Sequence, residues 1–110
     1  MEPSPSGFML VFMGLLSSEE ARKRAGALPG WTLGDKEIHR KFTFRDFAEA
    51  VSFVVRVGFT AEAADHHPDI LINYKRVTLT FSTHSEGGLT EKDFAGAEAA
   101  TTIALALGAT

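Results

Sequence analysis

Residues 38–64 read IHRKFTFRDFAEAVSFVVRVGFTAEAA, and the hydrophobic period changes once inside that stretch. From Ile38 to Phe44 the apolar residues Ile38, Phe42 and Phe44 alternate with His39, Lys41 and Thr43; only Arg40 breaks the apolar set. A period of two is that of a strand with one face wet. From Asp46 to about Ala64 the spacing becomes three and four, the period of a helix. Phe47, Val51, Val54, Val55 and Gly58 line up as one stripe, which reads as the core-facing one, and Phe53, Val57 and Ala61 form a second beside it. A helix apolar over so much of its girth is buried on two sides. One sheet in a small domain hardly provides that, so the pattern predicts a helix-mediated contact between subunits.

The elements on either side follow from local chemistry. Upstream, Ser17 stands three residues before Glu20, the pattern of a capping box, and predicts a helix running to about Leu28, where Pro29-Gly30 stops it. Trp31 to Leu33 reads as a short strand with Gly34-Asp35 as its turn. Downstream, Pro68 is expected to end the long helix and to hold His67 extended. Ile70 to Tyr74 and Val77 to Thr83 read as two more strands; in the second, Val77, Leu79 and Phe81 face one way and Thr78, Thr80, Ser82 and His84 the other. Gly87-Gly88 breaks the chain, and Thr90 caps a final alanine-rich helix with Asp93 adding negative charge to its first turn. The order helix, two strands, helix, two strands, helix, with short connections, predicts an α+β domain: an antiparallel sheet with helices on one side.

With 110 residues the chain holds one domain, divided here into a tail over residues 1–14 and a folded part over 15–110. A domain of this size buries only about 65% of the surface its unfolded chain exposes, which leaves apolar surface for association. The formal net charge of −3 supplies no basic stripe for nucleic acid, and the one basic cluster, Arg22-Lys23-Arg24, reads as a solvated helix face. Cysteine is absent, which removes thiol nucleophiles, disulfides and thiolate metal sites and fits a cytoplasmic location. The Pro/Ser stretch from Glu2 to Ser6 reads as a disordered tail. The apolar run from Phe8 to Leu16 is far short of the roughly 20 residues needed to span a bilayer, and no basic region precedes it, so neither a membrane span nor a secretory signal is expected.

The stretch that carries chemistry is Glu62-Ala63-Ala64-Asp65-His66-His67-Pro68-Asp69. His66 lies four residues after Glu62, so on a helix the two share a face, and a carboxylate there would hold the imidazole in place. His67 points elsewhere, so the two rings could line different walls of one pocket. A third histidine, His84, is expected at the end of a strand on the polar face of the sheet. Imidazole is also a common zinc ligand, but adjacent histidines rarely chelate one ion well, and neither zinc-finger spacing nor His-Glu-x-x-His occurs. No phosphate-binding loop or Gly-x-Ser-x-Gly elbow is present.

From about Leu15 onward the chain resembles the pterin-4a-carbinolamine dehydratases. The resemblance rests on Pro29-Gly30-Trp31, on Phe42-Thr43-Phe44-Arg45-Asp46-Phe47 and on Glu62-x-x-x-His66-His67-Pro68. Tyr74, Thr83-His84 and Gly88-Leu89-Thr90 leading to Asp93 complete it. It implies a four-stranded antiparallel sheet with three helices on one face, and subunits that pair along sheet edges and stack through helices into dimers or tetramers. It implies dehydration of 4a-hydroxytetrahydropterin to quinonoid dihydropterin and water, without a metal or cofactor. His66, His67 and His84 correspond to the family's catalytic histidines; Glu62 and Asp93 are the carboxylates expected to orient those rings. Asp65 to His67 and Phe81, Ser82, Thr83 and His84 are expected to contact the pterin. In this reading His66 and His84 move protons while His67 positions the hydroxyl. The same resemblance leaves a non-catalytic alternative, because some members serve as a dimerisation cofactor of a transcription factor and some relatives as assembly factors.

Overall fold

The computed structural model describes residues 14–110. The Pro/Ser tail and most of the Phe8–Leu16 run lie outside the described residues. Among the described residues three α-helices and four strands follow in the expected order: α1 (Ser18–Gly26), β1 (Thr32–Leu33), β2 (Ile38–Thr43), α2 (Phe47–Ala64), β3 (Asp69–Asn73), β4 (Arg76–Phe81) and α3 (Glu91–Ala106), with a 3-10 turn over His84–Glu86. The strands form one antiparallel sheet in the order β1-β2-β4-β3. β4 is therefore interior and β3 is an edge.

Each helix begins where a side chain satisfies its first unpaired N–H groups. Ser17 accepts from Glu20 N–H, Asp46 from Glu49 N–H, and Thr90 anchors a full capping box with Asp93. In the sheet, Ile38, Phe42, Val77, Leu79 and Phe81 turn toward the helices and are buried, while His39, Lys41, Thr78 and Thr80 on the other face are half-buried or exposed. Arg40 shares the inward phase without being stranded there. Its guanidinium lies 4.5 Å over the Phe42 ring and donates to Pro29 O at 2.9 Å. Gly30, at φ +93°, makes room for it, since a Cβ there would stand 2.6 Å from Arg40 Cζ.

The long helix faces the other way from the first expectation. Ala50, Phe53, Val57 and Ala61 are its buried residues, whereas Phe47, Val51 and Val55 of the stripe read as core-facing are exposed, as is Phe59 at 74%. Both stripes are apolar, so hydrophobicity does not choose between them. Shape does: Phe53 fits against Phe42 and Phe44, with ring centroids 5.3 and 4.8 Å away, and the small Ala50 and Ala61 let the helix axis approach. The helix also ends before Pro68 acts. Asp65, in the left-handed conformation at φ 52° and ψ 41°, closes it, and its N–H bonds back to Ala61 O and Glu62 O.

Arg24 of the basic cluster pairs with Glu91, a hydrogen bond that raises the guanidinium above its ordinary value, and lies 5.2 Å over the Phe94 ring. It ties α1 to the start of α3. No helix among the described residues is long and apolar enough to cross a membrane.

Candidate active site

The antiparallel register pairs Asp69 with Thr80. The residues just before β3 and those just after β4 therefore leave the sheet side by side, which brings His66-His67 next to Ser82-Thr83. The start of α3 arrives at the same end, because Thr83 bridges Gly88 and the chain turns directly into the Thr90 cap.

At this junction Asp93 is wholly buried and fully partnered. Its Oδ1 lies 2.7 Å from His66 Nε2; its Oδ2 accepts from the Thr83 hydroxyl at 2.8 Å and from Thr90 N–H at 2.9 Å. Burial in a low-dielectric setting makes each of these contacts count, and a carboxylate held this way is costly to disturb. The His66 ring, 12% exposed, lies nearly parallel to Phe81 with centroids 6.1 Å apart. Its Nδ1 has no hydrogen-bond partner among the described residues.

This corrects the expected pairing. Glu62 does not meet His66; its Oε1 accepts from His67 Nε2 at 2.8 Å on the exposed side. The left-handed turn at Asp65 takes His66 off the helical path before the i, i+4 relation can apply, and swings it inward to Asp93. With 55% and 80% of their side chains exposed, His67 and Glu62 form a pair worth little by itself. Asp93, read from the sequence as a helix-start carboxylate and, from the resemblance, as one expected to orient a ring, is the group that holds His66.

His84 is also placed differently. β4 stops at Phe81, and His84 opens the 3-10 turn rather than ending a strand. It is exposed and forms no side-chain hydrogen bond to another described residue. Among the expected contact residues, Phe81 and Thr83 turn inward and shape the site from beneath, and Ser82 donates to Lys36 O at 2.7 Å. Asp65, His67 and His84 lie at the surface. No group of three or more His, Asp and Glu side chains that could hold a metal ion occurs among the described residues.

Beside His66 a cleft of about 160 Å³ opens between α2 and α3, with Phe81 as part of its lining and Ala61, Ala64, Gly96 and Ala99 on its walls. Gly96 is what lets α3 sit so close: a Cβ there would meet Phe81 Cε1 at 2.5 Å. Thr90 and Gly96 were not foreseen as parts of the site. The alanine-rich composition of α3 signals close approach, but nothing local says which neighbour it approaches.

Fold and site together define a small α+β protein in which one imidazole is anchored by a buried carboxylate and two more lie at the same end of the sheet. A sequence profile described as pterin 4 alpha carbinolamine dehydratase matches residues 14–103. A Roseiflexus sp. (strain RS-1) protein, provisionally named a pterin-4-alpha-carbinolamine dehydratase, is 52% identical over 79 residues, covering 72% of this chain and 85% of its own. One from Chloroflexus aurantiacus (strain ATCC 29366 / DSM 635 / J-10-fl), named in the same way, is 51% identical over 87 residues, covering 79% and 94%. Among solved structures, a transcriptional coactivator/pterin dehydratase from Brucella melitensis superposes with a TM-score of 0.78 at 40% identity, over 81% of this chain and 97% of that one. A pterin dehydratase-like protein described as a RuBisCO assembly factor in the alpha-carboxysome shares the fold, with a TM-score of 0.58 at 22% identity over 68% of this chain and 89% of its own. The chain belongs to the pterin-4a-carbinolamine dehydratase family.

Proposed function

We propose that this protein is an active hydro-lyase that converts 4a-hydroxytetrahydropterin to quinonoid dihydropterin and water, so that a hydroxylase's pterin cofactor can be reduced and reused. The reaction breaks the C4a–O bond, removes the proton from N5 and forms the C4a=N5 double bond. One group must give a proton to the departing hydroxide and another must take the N5 proton. Imidazole serves both ends near neutral pH, and each well-placed acid or base contributes on the order of 10²–10⁴-fold. His66 and His84 carry the proton transfers and His67 positions the hydroxyl, with Asp93 orienting His66 and Glu62 orienting His67. Asp65 and the Phe81–His84 segment line the pterin site. The observation that carries this reading is the 2.7 Å contact between His66 Nε2 and the fully buried Asp93, which leaves the other ring nitrogen available.

A dehydration assay on 4a-hydroxytetrahydropterin, comparing wild type with His66→Ala and His84→Ala, tests it. The wild type accelerates the spontaneous reaction and each variant loses at least about 10²-fold. A wild type no faster than buffer would refute the activity; equal rates in all three would refute the site.

A second reading, a binding or assembly role without catalysis, draws support from the exposed apolar stripe of α2 and from the descriptions of the two structural relatives. The same assay decides between them. In either case the stripe and the β3 edge, which pairs with no further strand among the described residues and whose Ile70, Leu71 and Ile72 are exposed, favour a homodimer or homotetramer.

A further inference from the structure

Behind His66 the buried side chains form a chain whose proton directions follow from valence alone. A carboxylate only accepts, so every group on Asp93 must donate: the Thr83 hydroxyl and Thr90 N–H to Oδ2, and His66 Nε2 to Oδ1. Thr83 has a single hydroxyl proton, and Asp93 takes it. The 2.8 Å contact between Thr83 Oγ1 and Thr90 Oγ1 is therefore donated by Thr90. Thr90 Oγ1 accepts in turn from Lys92 N–H at 3.2 Å. The order runs one way, from the first turn of α3 through Thr90, Thr83 and Asp93 to the imidazole. Thr83 and Thr90 are each 5% exposed and Asp93 is 0% exposed, so bulk water does not compete along it.

The two anchors on Oδ2 come from different parts of the chain, one after β4 and one at the start of α3. Together they fix the plane of a carboxylate whose terminal torsion is otherwise broad and nearly two-fold. We propose that Thr83 and Thr90 are positioning residues for His66. The Thr83 hydroxyl and Thr90 N–H pin the Asp93 carboxylate with Oδ1 facing the ring, and the Thr90 hydroxyl, donating to Thr83 Oγ1, keeps the Thr83 proton aimed at Oδ2; this fixes the neutral imidazole as the Nε2–H tautomer. Nδ1 is then the nitrogen that exchanges a proton with the substrate. That last step rests on the dehydratase reading; the tautomer does not. Thr90 thus has two duties, since its hydroxyl also caps α3.

Nitrogen-15 spectra of histidine-labelled protein read the tautomer directly, because two-bond couplings to the ring carbon protons distinguish a protonated ring nitrogen from a bare one. At a pH where the ring is neutral, wild-type His66 is a single Nε2–H species. Thr83→Val and Thr90→Val keep the β-branched shape and remove the hydroxyl; each shows a mixture of tautomers and a kcat lower by about tenfold with KM little changed. Thr83→Ser and Thr90→Ser restore the single species and the rate. If a valine variant fails to fold, Thr90→Gly, which keeps a serviceable helix start, replaces it under the same criterion. An Nδ1–H tautomer in the wild type overturns the proposal, and so does an unchanged tautomer with unchanged kcat in the variants. A wild type with the Nε2–H ring but no dehydration would defeat the dehydratase reading and leave the tautomer standing; the converse result would do the opposite.

Discussion

Gly96 offers the sharpest test of how α3 is seated against the sheet. In Gly96→Ala the new Cβ would lie 2.5 Å from Phe81 Cε1 and 2.8 Å from its Cζ, about 0.9 Å inside an ordinary 3.4 Å contact. Phe81 is 2% exposed, so its ring has no solvent to move into. Overpacking of this kind costs about 1–3 kcal/mol, while replacing a helical glycine by alanine returns about 1 kcal/mol. The net loss is about 1 kcal/mol, equivalent to a fall in Tm of roughly 4–8 °C for a domain of this size. Gly58→Ala in α2 supplies the reference, since nothing lies within 4 Å of a Cβ there and the position is exposed. It gains the same helix propensity without the clash, so the difference between the two variants isolates the packing strain at about 1–3 kcal/mol. Thermal and urea unfolding measure both. Because Phe81 lies against the His66 ring, the proposed dehydration activity is expected to fall in Gly96→Ala and to be unchanged in Gly58→Ala. Two variants equal in stability to within about 0.5 kcal/mol would refute the close approach of α3 to β4.

Asp65→Val forces a β-branched residue into the left-handed conformation that ends α2, and is expected to cost about 1–2 kcal/mol in denaturant unfolding. Thr101→Val removes the acceptor 2.8 Å from Trp31 Nε1 and leaves that buried indole N–H unpaired, with an expected loss of about 1–3 kcal/mol by the same measurement. Phe59→Glu places a charge on the exposed stripe of α2 without touching the core; light scattering after size exclusion should show a smaller assembly with unfolding of the separated chain unaffected. Unchanged mass would remove α2 from the interface.

Most of the fold was legible because its signals are local. The switch from alternation to helical spacing at Asp46, the caps at Ser17 and Thr90, and the glycine breaks each act within a few residues, and all of them coincide with element boundaries to within one or two positions. Glu62, His66 and His67 stood out by residue type and spacing, while the resemblance added Asp93 to them and gave His84 its role. Periodicity could not choose between the two apolar stripes of α2, because both are hydrophobic and only the shape of the ring cluster around Phe42, Phe44 and Phe53 decides which one packs.

The partners of the histidines were decided in three dimensions. Helical spacing assigned Glu62 to His66, but one left-handed residue, Asp65, redirected the chain, giving His67 to Glu62 and His66 to Asp93. His66 and Asp93 are 27 residues apart, joined only because β3 and β4 pair antiparallel and α3 begins where β4 ends. The sequence by itself determined the elements, their order and the cast of chemical groups. Tertiary structure alone determined which carboxylate is buried and which imidazole it holds, since burial and hydrogen-bond geometry depend on residues distant along the chain.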